Sequence, residues 1–451
     1  MNSDKKLHVA LGLKEAIAIV VGTVIGTGVF LKTAIMANTV GSEAVVMVAW
    51  LVAGLLSLTG ALTYAELGSL FPKAGGEYIY LKEAYGNTVG FLYGWMRFWI
   101  GSPGSIAAYA VGTATFMNMV FHFSDPKSIT WIAVSLIILF SGLNCLSVSF
   151  GGKLNVILTT IKVLIIFTII YGAFFLSSRA GNPIQISLMG SNWKGWSFFG
   201  TAVLAALWAY DGWNNLPMMA GEVRESHKNV PRALIIGTLL ILIIYGLINL
   251  SYFYALPFSE ILSANSKLNP SALPVAAKTA MTFLGEMGIL FLSAAMTISA
   301  LGAMNGSIMT SSRIPYAMSR DGLFFEKLSE LHPQTKSPIY SVITQGFIAI
   351  FLALSGSFDQ LTDYVVFAGW LFYALCAFSV IIFRKKLPDA HRSYKVWGYP
   401  FVPFLFVGCA ILLLINTIMT SPESTAIGLA IIAIGWPVHK FYFAKNMAAK
   451  S

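Results

Sequence analysis

The chain alternates long apolar runs with short polar interruptions. Twelve of these runs come to roughly the 20 residues that one helical bilayer crossing needs. They cover about 14–37, 43–70, 85–118, 128–147, 153–177, 198–221, 232–256, 278–312, 337–355, 361–383, 398–418 and 424–442. The pattern predicts an all-α membrane protein with twelve transmembrane helices. The connections are short apart from 178–197, 257–277 and 313–336. None is long enough to hold a soluble domain, so residues 1–451 read as a single transmembrane domain.

Two runs do not suit an unbroken helix. The first contains Val21-Gly22-Thr23-Val24-Ile25-Gly26-Thr27-Gly28-Val29-Phe30. Each glycine costs a helix about 1 kcal/mol relative to alanine. In hydrocarbon, every backbone group freed by a break must also find a partner. A break here suits a cavity, with amides for a carboxylate and carbonyls for an ammonium. Gly22 and Gly26 equally fit close packing of a neighbouring helix. The sixth run reads Leu204-Ala205-Ala206-Leu207-Trp208-Ala209-Tyr210-Asp211-Gly212-Trp213-Asn214-Asn215-Leu216-Pro217. Pro217 removes a backbone donor, and polar groups at this depth are costly and tend to be functional. A kinked packing helix glued by Asn214 and Asn215 is the plainer alternative. The two runs stand five spans apart, so a repeat of that length inserts upside down. This predicts inverted repeats over about 14–177 and 198–383, a midplane site between them, and a further helix pair over about 398–442.

Composition narrows the class. The 451 residues are 57% hydrophobic and 11% charged, which is a multi-span membrane composition. The net charge of +10 does not form a nucleic-acid patch, because the basic residues fall in short loops. With the N-terminus placed in the cytoplasm, 21 of the 29 Lys and Arg lie inside and five outside. The other three, Lys32, Arg97 and Lys162, are within spans. The positive-inside rule then predicts cytoplasmic termini and a multi-pass protein of the cell membrane. No cleavable leader precedes the first span. Cys145, Cys376 and Cys409 lie in apolar runs and read as small buried hydrophobes. The six histidines are scattered, and no metal spacing or cofactor motif is present. Without H-E-x-x-H, G-x-S-x-G or a histidine pair at depth, a membrane enzyme is disfavoured. A sensor that binds without transporting stays open, although the tails hold no signalling domain.

Several motifs together carry a family resemblance. Gly22-Thr-Val-Ile-Gly-Thr-Gly-Val-Phe30 resembles the unwound first helix of the amino acid–polyamine–organocation superfamily. Ala209-Tyr-Asp-Gly-Trp-Asn214 with Gly221-Glu-Val resembles helix 6 of its L-type amino acid transporter branch. Asn305-Gly-Ser-Ile-Met-Thr-Ser-Ser-Arg313, Ser319-Arg-Asp-Gly322, Leu331-His-Pro333 and Pro72-Lys-Ala-Gly-Gly-Glu-Tyr78 match loops and helix ends of that branch. Among bacterial members the chain is similar to serine/threonine and alanine-serine-cysteine exchangers. The resemblance implies a LeuT-type 5+5 inverted repeat with helices 1 and 6 unwound. It also implies sodium-independent exchange of L-amino acids, with small neutral ones favoured. In such proteins the substrate carboxylate sits on amides matching Gly26, Thr27 and Gly28, in the stretch that includes Ile25. The ammonium meets carbonyls matching Val24, Trp208 and Asp211. The aromatic matching Trp208 caps the site, and Trp213 and Asn214 fall next along the break. Animal members bind a glycoprotein through a cysteine between helices 3 and 4. That loop here, His122-Phe-Ser-Asp-Pro-Lys127, has none, so no disulfide-linked ancillary subunit is expected.

Two further side chains are candidates for conformational coupling. Lys162 lies about nine residues into helix 5, some 13 Å deep. It reads either as a snorkelling anchor or as a cation beside the helix 1 break, where sodium sits in sodium-driven relatives of the fold. The second reading leaves two mechanisms: exchange with a permanent lysine charge, or proton-coupled symport with Lys162 as carrier. Tyr245 resembles a family tyrosine near the unwound stretch, and a plain packing role is the alternative. The role of Asp211 is open. Arg97 and Glu286 read as structural pairs or water-facing ends.

Overall fold

The computed structural model describes residues 7–443 apart from 126, 179–194, 267, 270, 356–357 and 421. Lys5, Lys6, Arg179, Lys194, Lys267, Lys445 and Lys450, all used in the orientation above, lie outside the described residues.

Among the described residues the chain is helical, with one isolated parallel bridge between Leu11 and Val223. The first run forms α1 (Leu13–Val24) and α2 (Gly28–Val40). Next come α3 (Glu43–Leu70), the short α4 (Glu77–Tyr85), and α5 (Asn87–Met96), which passes through a π-turn at Arg97–Gly101 into α6 (Ser102–Phe121). After these follow α7 (Lys127–Leu146), α8 (Val148–Tyr171), α9 (Trp196–Tyr210) and a 3-10 segment, Trp213–Glu222. The rest comprises α10 (Ser226–Ala255), α11 (Phe258–Leu262), α12 (Val275–Leu284), α13 (Met287–Ser311), α14 (Arg313–Arg320), α15 (Ile339–Ser355), α16 (Phe358–Lys386), α17 (Phe401–Thr420) and α18 (Pro422–Val438).

Nine helical stretches among the described residues are long and apolar enough to cross a membrane. Three apolar helices are shorter: Val275–Leu284, Ile339–Ser355 and Thr425–Phe441. The eighth run departs most from its sequence reading. It divides at Gly285, whose φ of +59° ends α12 and turns the chain before α13. Hydropathy cannot see this division, because Gly285 and Glu286 interrupt an otherwise continuous apolar stretch.

Element ends follow local chemistry. Ser42 caps α3 by accepting the Val45 amide, and Ser147 caps α8 by accepting the Phe150 amide. Gly41 closes α2 in the left-handed region, which glycine adopts without steric cost. The packing is inside-out relative to a soluble protein at the periphery. Phe347, Leu412 and Phe175 are exposed, as suits side chains that meet lipid. The interior holds the polar groups. Half-helix α1 packs among α8, α10 and α13, while α2 lies against α9.

Candidate functional site

The two interruptions meet at the centre of this packing. Between α1 and α2, residues Ile25–Thr27 are non-helical. Between α9 and the 3-10 segment, Asp211 is extended and Gly212 has φ +117°. A Cβ on Gly212 would lie 2.9 Å from the Thr23 carbonyl oxygen, so glycine is required both for its torsion and for the close approach. The breaks are also bonded together. Thr23 Oγ1 donates to the Gly212 carbonyl at 2.9 Å. Tyr245 Oη, from α10, reaches the Val24 carbonyl (3.2 Å) and the Ala209 carbonyl (3.0 Å), one on each interrupted helix.

A break exposes carbonyls that need donors, and Lys162 supplies them. Its side chain is buried, and its Nζ donates to the carbonyls of Gly22 (2.9 Å), Ile25 (2.7 Å) and Ser299 (3.0 Å). The side chain therefore runs into the bundle and does not snorkel to the surface. Ser299 Oγ on α13 contacts the Ile25 and Gly26 carbonyls, each at 3.0 Å. On the α1 side, Asn155 and Thr159 of α8 both donate to the Ala18 carbonyl. The carbonyls of this break are thus largely engaged: Val24 accepts from Tyr245 and from the Gly26 amide. The amides of Thr27, Gly28 and Val29, at the start of α2, have no intramolecular acceptor among the described residues.

The glycines of the first break divide between the two uses the pattern allowed. Gly22 is a packing glycine, since a Cβ there would meet Thr159 Oγ1 at 2.4 Å. Gly28 also permits contact, because a Cβ would lie 2.7 Å from the Ala209 Cβ and 3.3 Å from Trp208 Cζ3. Gly26 is different. A Cβ there would find only Tyr109 Cε1 at 3.8 Å and the Val24 oxygen at 3.9 Å, which is ordinary contact with room beside it.

The structure gathers Val24, Ile25, Gly26, Thr27, Gly28, Trp208 and Asp211 around this junction. Trp208 is half-buried, with Lys32 Nζ 4.1 Å above its ring. Asp211 is exposed although its neighbours Tyr210, Gly212 and Trp213 are buried. Its surroundings include Arg97, Glu77 and Tyr373. Its carboxylate therefore opens on an accessible space within the bundle. Trp213 and Asn214 point elsewhere. Trp213 packs edge-on against Tyr64 (4.9 Å) and Phe406 (6.0 Å). Asn214 donates to Glu77 Oε1 at 3.0 Å. Among the described residues, no cluster of His, Cys, Asp and Glu is arranged to hold a metal.

Sequence reasoning assigned no role to Ser299, Thr23, Tyr109 or Glu77. Glu77 stood in a motif, Gly-Gly-Glu-Tyr, whose glycines place its carboxylate under Asn214, Tyr64 and Tyr93. Gly76 allows the approach, as a Cβ there would sit 2.8 Å from the Met218 amide. Ser299 carried no signal, because small polar residues are ordinary at membrane helix contacts.

The sequence model of the family described as "Amino acid permease" matches residues 11–436. The chain belongs to this family, within the amino acid–polyamine–organocation superfamily. The permease is 32% identical over 440 residues to the serine/threonine exchanger SteT of Bacillus subtilis, covering 97% of each chain. It is 32% identical over 431 residues to the human b(0,+)-type amino acid transporter 1, covering 92% of this chain and 84% of that one. It is also 30% identical over 438 residues to the human cystine/glutamate transporter, with 95% and 84% covered. These relatives are transporters embedded in membranes, and the family comprises permeases, not enzymes.

Proposed function

We propose that this permease is a sodium-independent exchanger of small neutral L-amino acids that works by alternating access around its two interrupted helices. The observation that carries the reading is the Lys162 ammonium seated on the freed carbonyls of Gly22 and Ile25. A fixed cation there meets the electrostatic demand that a sodium ion meets in sodium-driven proteins of this type. The uncommitted amides of Thr27 and Gly28 suit a substrate carboxylate, with Gly26 leaving space beside them. The ammonium falls toward the carbonyls of Trp208 and Asp211, since the Val24 oxygen already accepts two bonds. Trp208 covers the site, and Tyr245 couples the two breaks as the helices tilt.

The wider architecture in this reading is a LeuT-type fold of twelve helices, with repeats over about 14–177 and 198–383 and an outlying pair over about 398–442. Both termini face the cytoplasm, and the protein resides in the cell membrane without a disulfide-linked partner. The serine/threonine exchanger relative supports small neutral substrates.

A second reading has one observation in its favour. Lys162 is buried with only neutral oxygen partners, the arrangement a proton carrier needs, so proton-coupled symport competes. Proteoliposomes preloaded with labelled L-serine separate the two. Exchange requires that efflux depend on external amino acid and be unchanged when choline replaces sodium. Efflux that ignores external amino acid and tracks an imposed pH gradient would reject exchange.

A further inference from the structure

Lys32 and Trp208 meet on the α2 side of the junction. Lys32 Nζ lies over the Trp208 ring, 4.1 Å from its centroid. The same indole rests on the start of α2, where a Cβ on Gly28 would come within 3.3 Å of Trp208 Cζ3. Gly28 and Lys32 are four residues apart, so they share one face of α2 at successive turns. The indole therefore lies along that face, touching its first turn and covered by the ammonium of the next. Gly28 is the first residue of α2, and its amide and that of Thr27 have no intramolecular acceptor among the described residues. Trp208 itself stands three residues before Asp211, where α9 has ended. The ring is thus held across the amide end of α2, beside both breaks. Helix energetics do not account for the lysine, because a cation near a helix N-terminus opposes the macrodipole. A charge within a span is also costly unless something meets it. An indole face does so, and more strongly than the other aromatic rings. Both side chains are half-buried, so water is partly excluded from the contact.

We infer that Lys32 is a latch on the Trp208 lid: its ammonium holds the indole down over the amide end of α2, so a bound amino acid leaves only when that contact opens. The inference rests on the reading of this junction as an amino-acid site and deepens it, by naming the residue that sets how long the substrate stays. Lys32 acts here through Trp208, as a positioning residue. The contact also joins the two interrupted helices, since one partner belongs to α2 and the other to α9. Thr23 and Tyr245 join them as well, but their hydrogen bonds end on backbone carbonyls beside the breaks. The Lys32 contact is made by side chains alone. It can open and close by rotation of those side chains while the backbone of both breaks stays in place, which is what a lid over a site requires. A cation on a ring is weak enough to part at every turnover. Methionine at position 32 keeps the reach of the stem and loses the charge. Arginine keeps the charge and stacks on an aromatic face. Phenylalanine at position 208 keeps a ring but holds a cation less strongly.

The experiment measures association and release rates of labelled L-serine on the purified full-length protein. The wild type is compared with Lys32→Met, Lys32→Arg, Trp208→Phe and the Lys32→Met/Trp208→Phe double variant. Lys32→Met should speed release by about five-fold or more, the loss expected for a partly desolvated cation on an indole, and leave association within about two-fold. Lys32→Arg should release within about two-fold of the wild type. On the Trp208→Phe background the same lysine change should have a clearly smaller effect, because two residues that act through one contact are not additive. Release by Lys32→Met within about two-fold of the wild type overturns the inference. So does an undiminished effect on the Trp208→Phe background, which would make Lys32 a charge that acts without the ring. Slower association with unchanged release overturns it equally. If Lys32→Met cannot be recovered folded, Lys32→Gln is read against the same limits. A wild type that binds no L-serine would instead defeat the reading of this junction as a site for small neutral amino acids.

Discussion

Single atoms decide what the two breaks can do. Gly26 has ordinary φ, and a Cβ there would make only ordinary contacts, with Tyr109 Cε1 at 3.8 Å and the Val24 oxygen at 3.9 Å, so a methyl group fits and a longer chain intrudes beside Tyr109. Gly26→Ala is expected to retain uptake within a few-fold, whereas Gly26→Leu abolishes substrate binding while the protein still folds into the membrane. Binding by scintillation proximity checks this, and full-affinity binding by Gly26→Leu would remove the site from this junction. Lys162 poses the opposite case. Lys162→Met keeps the stem and removes the donor, leaving the Gly22 carbonyl without a partner among the described residues, while the Ser299 carbonyl keeps its place in the α13 ladder and the Ile25 carbonyl keeps Ser299 Oγ. A buried acceptor so orphaned costs about 1–3 kcal/mol. The expected result is a lower melting temperature in detergent together with lost exchange; normal exchange kinetics would make the lysine structural only.

At the scale of elements, the interrupted helices behave as one unit. Thr23 is bonded to Gly212, and Tyr245 spans Val24 and Ala209, so neither break can change shape alone. Gly212→Ala puts a Cβ into the Thr23 carbonyl at a φ of +117°. Such strain costs on the order of 1–3 kcal/mol. Transport should fall by much more than the accompanying drop in melting temperature, because the joint between the half-helices is what moves. Equal uptake by Gly212→Ala would show that the contact can relax without function being lost.

Over the whole molecule, buried ion pairs tie the moving parts to their surroundings. Arg313 Nε and Nη2 hold Glu222 at 2.7 and 2.8 Å, both side chains being buried. The Ala10 and Leu11 amides donate to the Glu222 carbonyl at 3.1 and 3.0 Å, and the Arg224 amide donates to Leu11. The N-terminal segment, the end of the 3-10 segment and α14 are thereby fastened together. Removing one partner of such a pair costs roughly 3–5 kcal/mol, because the other is left charged and unmatched. Arg313→Met should therefore make a cysteine introduced near Leu11 more reactive to a membrane-impermeant thiol reagent in the presence of substrate, and Arg313→Met/Glu222→Met should be milder than either single change. An unchanged labelling rate would show that this cluster does not gate access.

Much of this molecule was legible before its coordinates. Apolar run length determines that the chain sits in a membrane, because hydrocarbon tolerates few alternatives to a helix of that length. The glycines of the first run and the Asp211-Gly212 pair mark both breaks, since each strains a helix by local chemistry alone. Lys162 was legible as a cation at depth, with a snorkelling anchor and a place beside the helix 1 break both open; its three carbonyl partners, from two separate helices, decide for the second. Tertiary structure alone decided that Trp213 and Asn214 turn away from the junction toward Tyr64, Phe406 and Glu77. It alone brought in Ser299 and Tyr109. The reason is physical: a backbone break is a property of the few residues that form it, whereas the direction of a side chain and the charge it faces depend on helices a hundred or more positions away.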